Sequence, residues 1–348
     1  MIGVVDLAVA REQWAPEGTY LNTASYGLPP AAAWTALEVV LADWRVGRTS
    51  WEPWTASTEA ARASFARLVN APAERVATGA TTSGLVGLVA ASIPDGARVL
   101  APDVEFTSTL FPFMVQDQRN VEVRTVPAAR LAEAIDADTD VVAFSAVQMS
   151  TGEVADLEAV ATAARHHGAL TVVDASQACG WLPLDATRFD AVACSAYKWL
   201  MSPKGTAFLA VSEDLLERIV PHSAGWYAGE DPYESYAGPP LRLAHSGRRL
   251  DTSPAWFSWV GAAPALALIE EIGIDAIRVH DVGLANAFRE GVGLEPANSA
   301  IVSSEGGHDL ERLRNAGVMA AVIEGRLRTS WHVYNTPDDV ERALAVCA

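Results

Sequence analysis

The sequence predicts an α/β protein: a mostly parallel central sheet with helices on both faces, plus a small α+β C-terminal domain. Three observations predict it. From about residue 76 to 211, strand-like and helix-like stretches alternate, which implies parallel pairing with right-handed crossovers. Within that region TVVDA and FDAVACSAY read as two buried strands whose connection is too long for a hairpin. Beyond residue 256 the pattern changes to a long helix followed by short strands and helices. At 348 residues the chain is long enough for one large domain and a smaller one. The expected divisions are a segment 1–30, a large domain 31–255 and a small domain 256–348.

Residues 16–30, PEGTYLNTASYGLPP, form a loop of small polar residues with turn formers at both ends. A helix follows over about 31–45, with Trp34, Leu37, Leu41 and Trp44 at helical spacing. RTSWEPW (48–54) reads as an irregular joint, and a second helix as 57–69, ending before Pro72. Next a short strand leads into Gly79-Ala80-Thr81-Thr82-Ser83 and an apolar helix. Small residues and hydroxyls at a helix N-terminus suit an anion, and they equally suit an ordinary N-cap. ARVLAPDVEF, VEVRTVPA, DVVAFSAVQ, ALTVVDAS, DAVACSAYK and GTAFLAVS then read as strands, with helices between them that include one bridging TVVDA and DAVAC. Residues 221–255, rich in Gly, Pro, Tyr and Trp, form a loop long enough to be functional. The tail reads as strand (SAIVSS), helix (DLERLRNAG), two strands (VMAAVIEG, RLRTSWHVY) and helix (TPDDVERALAV).

Half of the residues are hydrophobic and a fifth charged, as in an ordinary soluble enzyme. The net charge of −18 argues against nucleic acid or an anionic membrane as partner. Cys179, Cys194 and Cys347 have no metal-ligand spacing and read as small buried hydrophobes. The N-terminal MIGVVDLAVAREQW lacks a basic region and a long apolar run, and no stretch is long enough to span a membrane. The expected setting is cytoplasmic.

The chemistry is expected in 172–198. Asp174 ends the first buried strand, and Lys198 follows the second, 24 residues later. Open α/β sheets place their ligands at the C-terminal ends of the strands. A lysine there forms a Schiff base, and a nearby carboxylate holds a pyridinium nitrogen protonated. That pairing suggests pyridoxal phosphate.

DASQACGW (174–181) followed by SAYKW (195–199) resembles the class V aminotransferase family of fold-type I pyridoxal-phosphate enzymes, and the resemblance runs from Tyr20 to the end. That family includes cysteine desulfurases, kynureninases, isopenicillin N epimerase and C–S lyases. The resemblance implies that Lys198 carries the cofactor as an aldimine and moves the substrate's α-proton. It further implies that Asp174 pairs with the ring nitrogen and Gln177 with the ring's phenolic oxygen. Ser195 and Tyr197, with Ala80, Thr81 and Thr82, would hold the phosphate. Phe106 would stack on the ring where relatives place a histidine. Arg328 would clamp the substrate carboxylate through its planar paired donors. Asn22 and Ala24, in the segment 22–25, would border the substrate pocket, and Trp226 is a further candidate there. Ser253 would reach the phosphate of a neighbouring subunit, which implies a homodimer with shared sites; it also fits the N-cap of the next helix. None of the seven histidines shows a defensible pairing, although His332 follows Arg328 closely enough to reach the pocket.

Two departures bear on the reaction. Relatives place an asparagine near the ring oxygen where this chain reads SAVQMSTG, so Gln148 makes that contact or it is absent. Cysteine desulfurases need a mobile cysteine shortly before the arginine, and 299–328 contains none. The expectation is therefore aminotransferase-type chemistry on an α-amino acid, with a lyase or an epimerase as alternatives. A cysteine desulfurase is disfavoured, and a non-catalytic cofactor-binding module is the remote alternative.

Overall fold

The computed structural model describes residues 6–305 and 310–347, so His308 lies outside the described residues. In chain order the strands are β1 (Thr19–Tyr20), β2 (Val76–Gly79), β3 (Arg98–Pro102), β4 (Glu122–Val126), β5 (Val141–Ser145), β6 (Leu170–Asp174), β7 (Ala191–Ser195), β8 (Ala207–Val211), β9 (Ile301–Ser304), β10 (Val318–Met319), β11 (Ala321–Ile323) and β12 (Arg326–Ser330). Seven of them form the central sheet in the order β2-β8-β7-β6-β5-β3-β4. β8 alone runs opposite to the other six strands of this sheet.

Alternation along the strands explains why the sheet is covered twice. Val142, Phe144, Val173, Val192 and Phe208 face one core, with Phe65, Trp259, Leu266 and Ile269 from helices. Val141, Ala143, Val172, Ala191, Ala193 and Leu209 face the other, with Leu85, Val86, Val89 and Phe113. Successive strand residues point to opposite faces, so strands buried on both sides must be apolar throughout. Every residue of β5 and of β7 is buried.

A second, smaller core gathers Leu284, Phe288, Val302, Leu327, Trp331 and Val340. It lies against the antiparallel sheet β11-β12-β9. The expected division at 256 falls at the start of the helix Trp256–Ile272. That helix packs on the helices Ala31–Arg45 and Trp51–Leu68, and its buried side chains join the large core. The second core takes Leu284, Ala285 and Phe288 from the following helix, Ile274–Gly291, and Leu21 from the N-terminal segment.

Three local expectations are corrected. The second helix begins at Trp51, not at 57: Pro53 sits in its first turn, where a missing N–H breaks no helical bond. The connection between β6 and β7 is not a regular helix but a series of turns with a short 3₁₀ segment, Ala186–Arg188. The N-terminal loop contains β1, which pairs in parallel with β10, and Asn22 bridges to Ser330. The first 30 residues are thereby tied to the C-terminal unit.

Candidate active site

The C-terminal ends of β5, β6 and β7 deliver adjacent side chains. Register places Ser145 beside Asp174, and Asp174 beside Ala193, two residues before Ser195. Asp174 is buried; its Oδ2 accepts from Thr109 Oγ1 at 3.0 Å and its Oδ1 from the Ser176 amide at 2.8 Å. Thr109 comes from the helix after β3. Two fixed donors hold the carboxylate in one orientation and leave further lone pairs for a ring N–H.

Lys198 is also buried, and its Nζ lies 5.4 Å from the centroid of the Phe106 ring. Burial lowers its pKa, Asp174 opposes that shift, and Arg328 adds to it. A lysine with a depressed pKa is a better nucleophile and proton carrier near neutrality. The chain has a single other lysine, Lys204, which is exposed and donates to the Tyr26 hydroxyl at 3.2 Å.

Hydroxyls converge at the N-terminus of the helix Thr82–Ser92. Thr82 Oγ1 lies 2.7 Å from Ser195 Oγ and 3.1 Å from Ser176 Oγ, and Thr81 caps the helix by accepting from the Gly84 amide. Ala80 and Thr81 are exposed at the mouth of this cluster. Hydroxyls beside a helix N-terminus make a site for a phosphate.

Arg328, on β12, is 1% exposed and has no carboxylate partner among the described residues. Its Nη1 donates to the Met149 carbonyl at 3.0 Å and its Nη2 to Ser25 Oγ at 2.6 Å, with Asn22 Oδ1 at 3.5 Å. Its Nε is buried without an acceptor. Burial alone lowers its pKa, to about 10. A buried guanidinium without a counter-ion is poised for an anion.

The remaining expected residues divide. Gln177 is committed: its Nε2 donates to the Ala24 carbonyl at 3.0 Å and its Oε1 accepts from the Trp199 indole at 2.8 Å, which leaves one N–H for a ring oxygen. Gln148 donates to Glu105 at 3.3 Å, again with a second N–H left. Tyr197 packs beside Tyr26, with ring centroids 5.1 Å apart, and Lys204 lies over its ring. Trp226 packs with Trp51, Tyr227 and Tyr236; within this chain its ring belongs to that aromatic group and not to the surroundings of Lys198 or Arg328. Ser253 is exposed, and the helix that follows is capped by Ala255, so the N-cap alternative for Ser253 does not hold.

Ser25, in the segment expected at the substrate pocket, is the residue there that touches Arg328 most closely, whereas sequence reasoning missed Thr109, Ser176 and Glu105. Glu105 is buried and accepts from the Ser145 amide and the Phe106 amide, each at 2.8 Å, and from the Ser145 hydroxyl. Burial raises its pKa, and the charge of Asp174 adds to the rise. Its place one residue before Phe106 was the available signal. His332 does not reach the pocket: both ring nitrogens are engaged elsewhere, with Asp281 and Trp199.

The donors fit pyridoxal phosphate: an acid with free lone pairs, a buried amine, an aromatic face, a hydroxyl cradle at a helix N-terminus and an unpaired guanidinium. Among the described residues no group of three or more His, Cys, Asp or Glu is placed to hold a metal ion. No described helix is long and apolar enough to cross a membrane.

Comparison with known proteins agrees with this set. The family model described as aminotransferase class-V matches residues 47–303. A Bacillus subtilis protein named as an uncharacterized aminotransferase is 27% identical, covering 85% of this chain and 84% of its own length. Isopenicillin N epimerase of Amycolatopsis lactamdurans is 30% identical, with coverages of 83% and 82%. The solved structure of the Escherichia coli cysteine desulfurase CsdA superposes with a TM-score of 0.84 at 22% identity, covering 99% of this chain and 98% of that one.

Proposed function

The chain belongs to the aminotransferase class-V family, and from that premise we propose that this pyridoxal-phosphate enzyme acts on an α-amino acid by aminotransferase-type chemistry. When bound, the cofactor supplies an aldehyde that condenses with an amine and a ring that accepts charge from the amino acid's α-carbon. Lys198 holds the cofactor and afterwards carries the proton at that carbon. Asp174, oriented by Thr109 and Ser176, keeps the ring nitrogen protonated. Phe106 provides a face for stacking but no proton. Thr82 and Ser195, with Thr81 and Ala80 at the rim, hold the phosphate. Gln177 and Gln148 each keep one uncommitted N–H, which would serve the ring oxygen. Arg328 takes the substrate carboxylate, with Asn22, Ala24 and Ser25 framing it.

The observation that carries this reading is the pairing of a buried Lys198 with a buried Arg328 whose Nε has no acceptor. One group binds the amine side of an amino acid and the other its carboxylate. A lyase, acting by β-elimination, is the second reading, because the same residues create charge at the α-carbon and none of them dictates its fate. An epimerase needs a second acid on the face that Phe106 covers. Desulfuration needs a mobile thiol, whereas Cys179 and Cys194 are buried and Cys347 lies on the final helix.

We also propose a homodimer that shares its sites. Ser253 is exposed, and the helix Ala31–Arg45 leaves Trp34 (57%) and Trp44 (58%) open to solvent, a surface suited to a second copy. The decisive experiment mixes the cofactor-loaded protein with a panel of amino acids and follows cofactor absorbance and products. Conversion to pyridoxamine phosphate with release of a keto acid is the expected result. Pyruvate or thiol release with the cofactor unchanged would replace transamination by a lyase reaction, and sulfide plus alanine from cysteine would reinstate desulfuration.

A further inference from the structure

His332 and Asp281 form a buried polar pair that the proposed reaction leaves unused. Both side chains are 0% exposed; the buried Asn335 accepts from the His332 amide at 2.9 Å, and His280 lies close enough to act electrostatically on both. His332 follows β12, four residues after Arg328, and Asp281 lies on the helix Ile274–Gly291. Nδ1 of the imidazole lies 2.8 Å from Asp281 Oδ2, and Nε2 lies 3.0 Å from the Trp199 carbonyl oxygen.

A carbonyl can only accept, so Nε2 carries a proton. The Nδ1 contact then holds another, whether the imidazole or the carboxyl owns it. Such a pair is costly to bury, and Asp281 Oδ1 has no partner among the described residues. Apolar side chains of the same volume would fill the space more cheaply, so its use lies in what it holds.

What it holds is Trp199, the residue after Lys198. The Trp199 carbonyl is gripped by His332, and its indole N–H donates to Gln177 Oε1 at 2.8 Å. Gln177 in turn donates to the Ala24 carbonyl at 3.0 Å. Two glycines close the same stretch of backbone. A Cβ on Gly27 would lie 2.0 Å from the Lys198 carbonyl oxygen, and one on Gly180 would lie 2.6 Å from that of Trp199.

We propose that the Asp281–His332 pair is a positioning device for Lys198 and Gln177, acting through the carbonyl and the indole of Trp199. It rests on the reading of Lys198 as the cofactor lysine. It connects the end of the strand that carries Arg328 with the loop that carries Lys198, so the carboxylate clamp and the amine keep one relative placement.

The test compares His332→Leu with His332→Gln in the pyridoxal-phosphate-loaded protein. Glutamine retains an N–H for the Trp199 carbonyl; leucine fills similar space without one. Two readouts are followed: the pH midpoint of the cofactor's absorbance titration and the dissociation constant of the cofactor. His332→Leu is expected to move the midpoint by about one pH unit and weaken the cofactor about tenfold, with His332→Gln closer to the parent on both. Parent values in a folded His332→Leu protein would overturn the proposal. If that variant does not fold, Asp281→Asn is measured in the same way, and parent values there would overturn it equally. Lys198→Ala run alongside separates the two readings. If it keeps the parent absorbance, the assignment of Lys198 itself fails. If it loses that absorbance while His332→Leu is unaffected, only the positioning role fails.

Discussion

Replacing Arg328 by methionine should separate its electrostatic role from a packing role. A pKa near 10 for a guanidinium corresponds to about 3 kcal/mol against its charged form. That penalty is uncompensated before substrate binds, because its contacts are the Met149 carbonyl, the Ser25 hydroxyl and the Asn22 amide oxygen. Methionine removes the penalty and fills much of the space, at the cost of those hydrogen bonds. Urea unfolding of the substrate-free protein should therefore show a change within about 1 kcal/mol, or a gain, whereas breaking a compensated buried ion pair costs about 3–5 kcal/mol. The same ~3 kcal/mol should reappear with substrate, as a fall in kcat/KM on the order of 100-fold. An amine lacking the carboxylate should lose far less. A variant destabilised by more than about 3 kcal/mol that falls equally with both substrates would refute the reasoning.

Thr82→Val removes the hydroxyl that joins Ser195 and Ser176, and should weaken the cofactor about tenfold in equilibrium dialysis, close to the worth of one charge-assisted hydrogen bond. Glu105 gives a pH dependence whose sign follows from its raised pKa. Between the ordinary carboxylate value and the raised one, the folded protein binds more protons than the unfolded chain. The Glu105 contribution to stability is thus present at low pH and lost as pH rises through that window. Urea midpoints of Glu105→Gln should fall less than the parent's across that window, and identical slopes would contradict it.

The parts of this site visible in the sequence are those whose chemistry and position coincide in one short stretch. Asp174 ends, and Lys198 closely follows, strands that are buried almost end to end, and the hydroxyls of Thr81 and Thr82 open an apolar helix. The central sheet was legible for the same reason, since a doubly covered strand needs no polar alternation. Contacts made across the fold were not. Glu105 meets Ser145 forty residues away, Ser25 meets Arg328 across 303, and His332, just past β12, finds Asp281 on the helix Ile274–Gly291. Nothing local to these residues separates a buried carboxyl or imidazole from a surface one. The joint at 48–54 was misread because a proline in the first helical turn looks, in sequence, like a helix breaker. Trp226, a candidate beside the substrate, packs within this chain on Trp51 of the helix Trp51–Leu68 and on Tyr236 of its own loop, a contact across 175 positions that its own stretch of sequence does not announce.

The central claim is that Lys198 is the residue that carries the cofactor, and the chain offers a simple test because Lys198 and Lys204 are its two lysines. Protein loaded with pyridoxal phosphate, reduced with borohydride and digested, should yield the phosphopyridoxyl group on the peptide containing Lys198. The exposed Lys204, held charged by the Tyr26 hydroxyl, should remain unmodified. Label on Lys204 alone, or on neither lysine, would contradict the account.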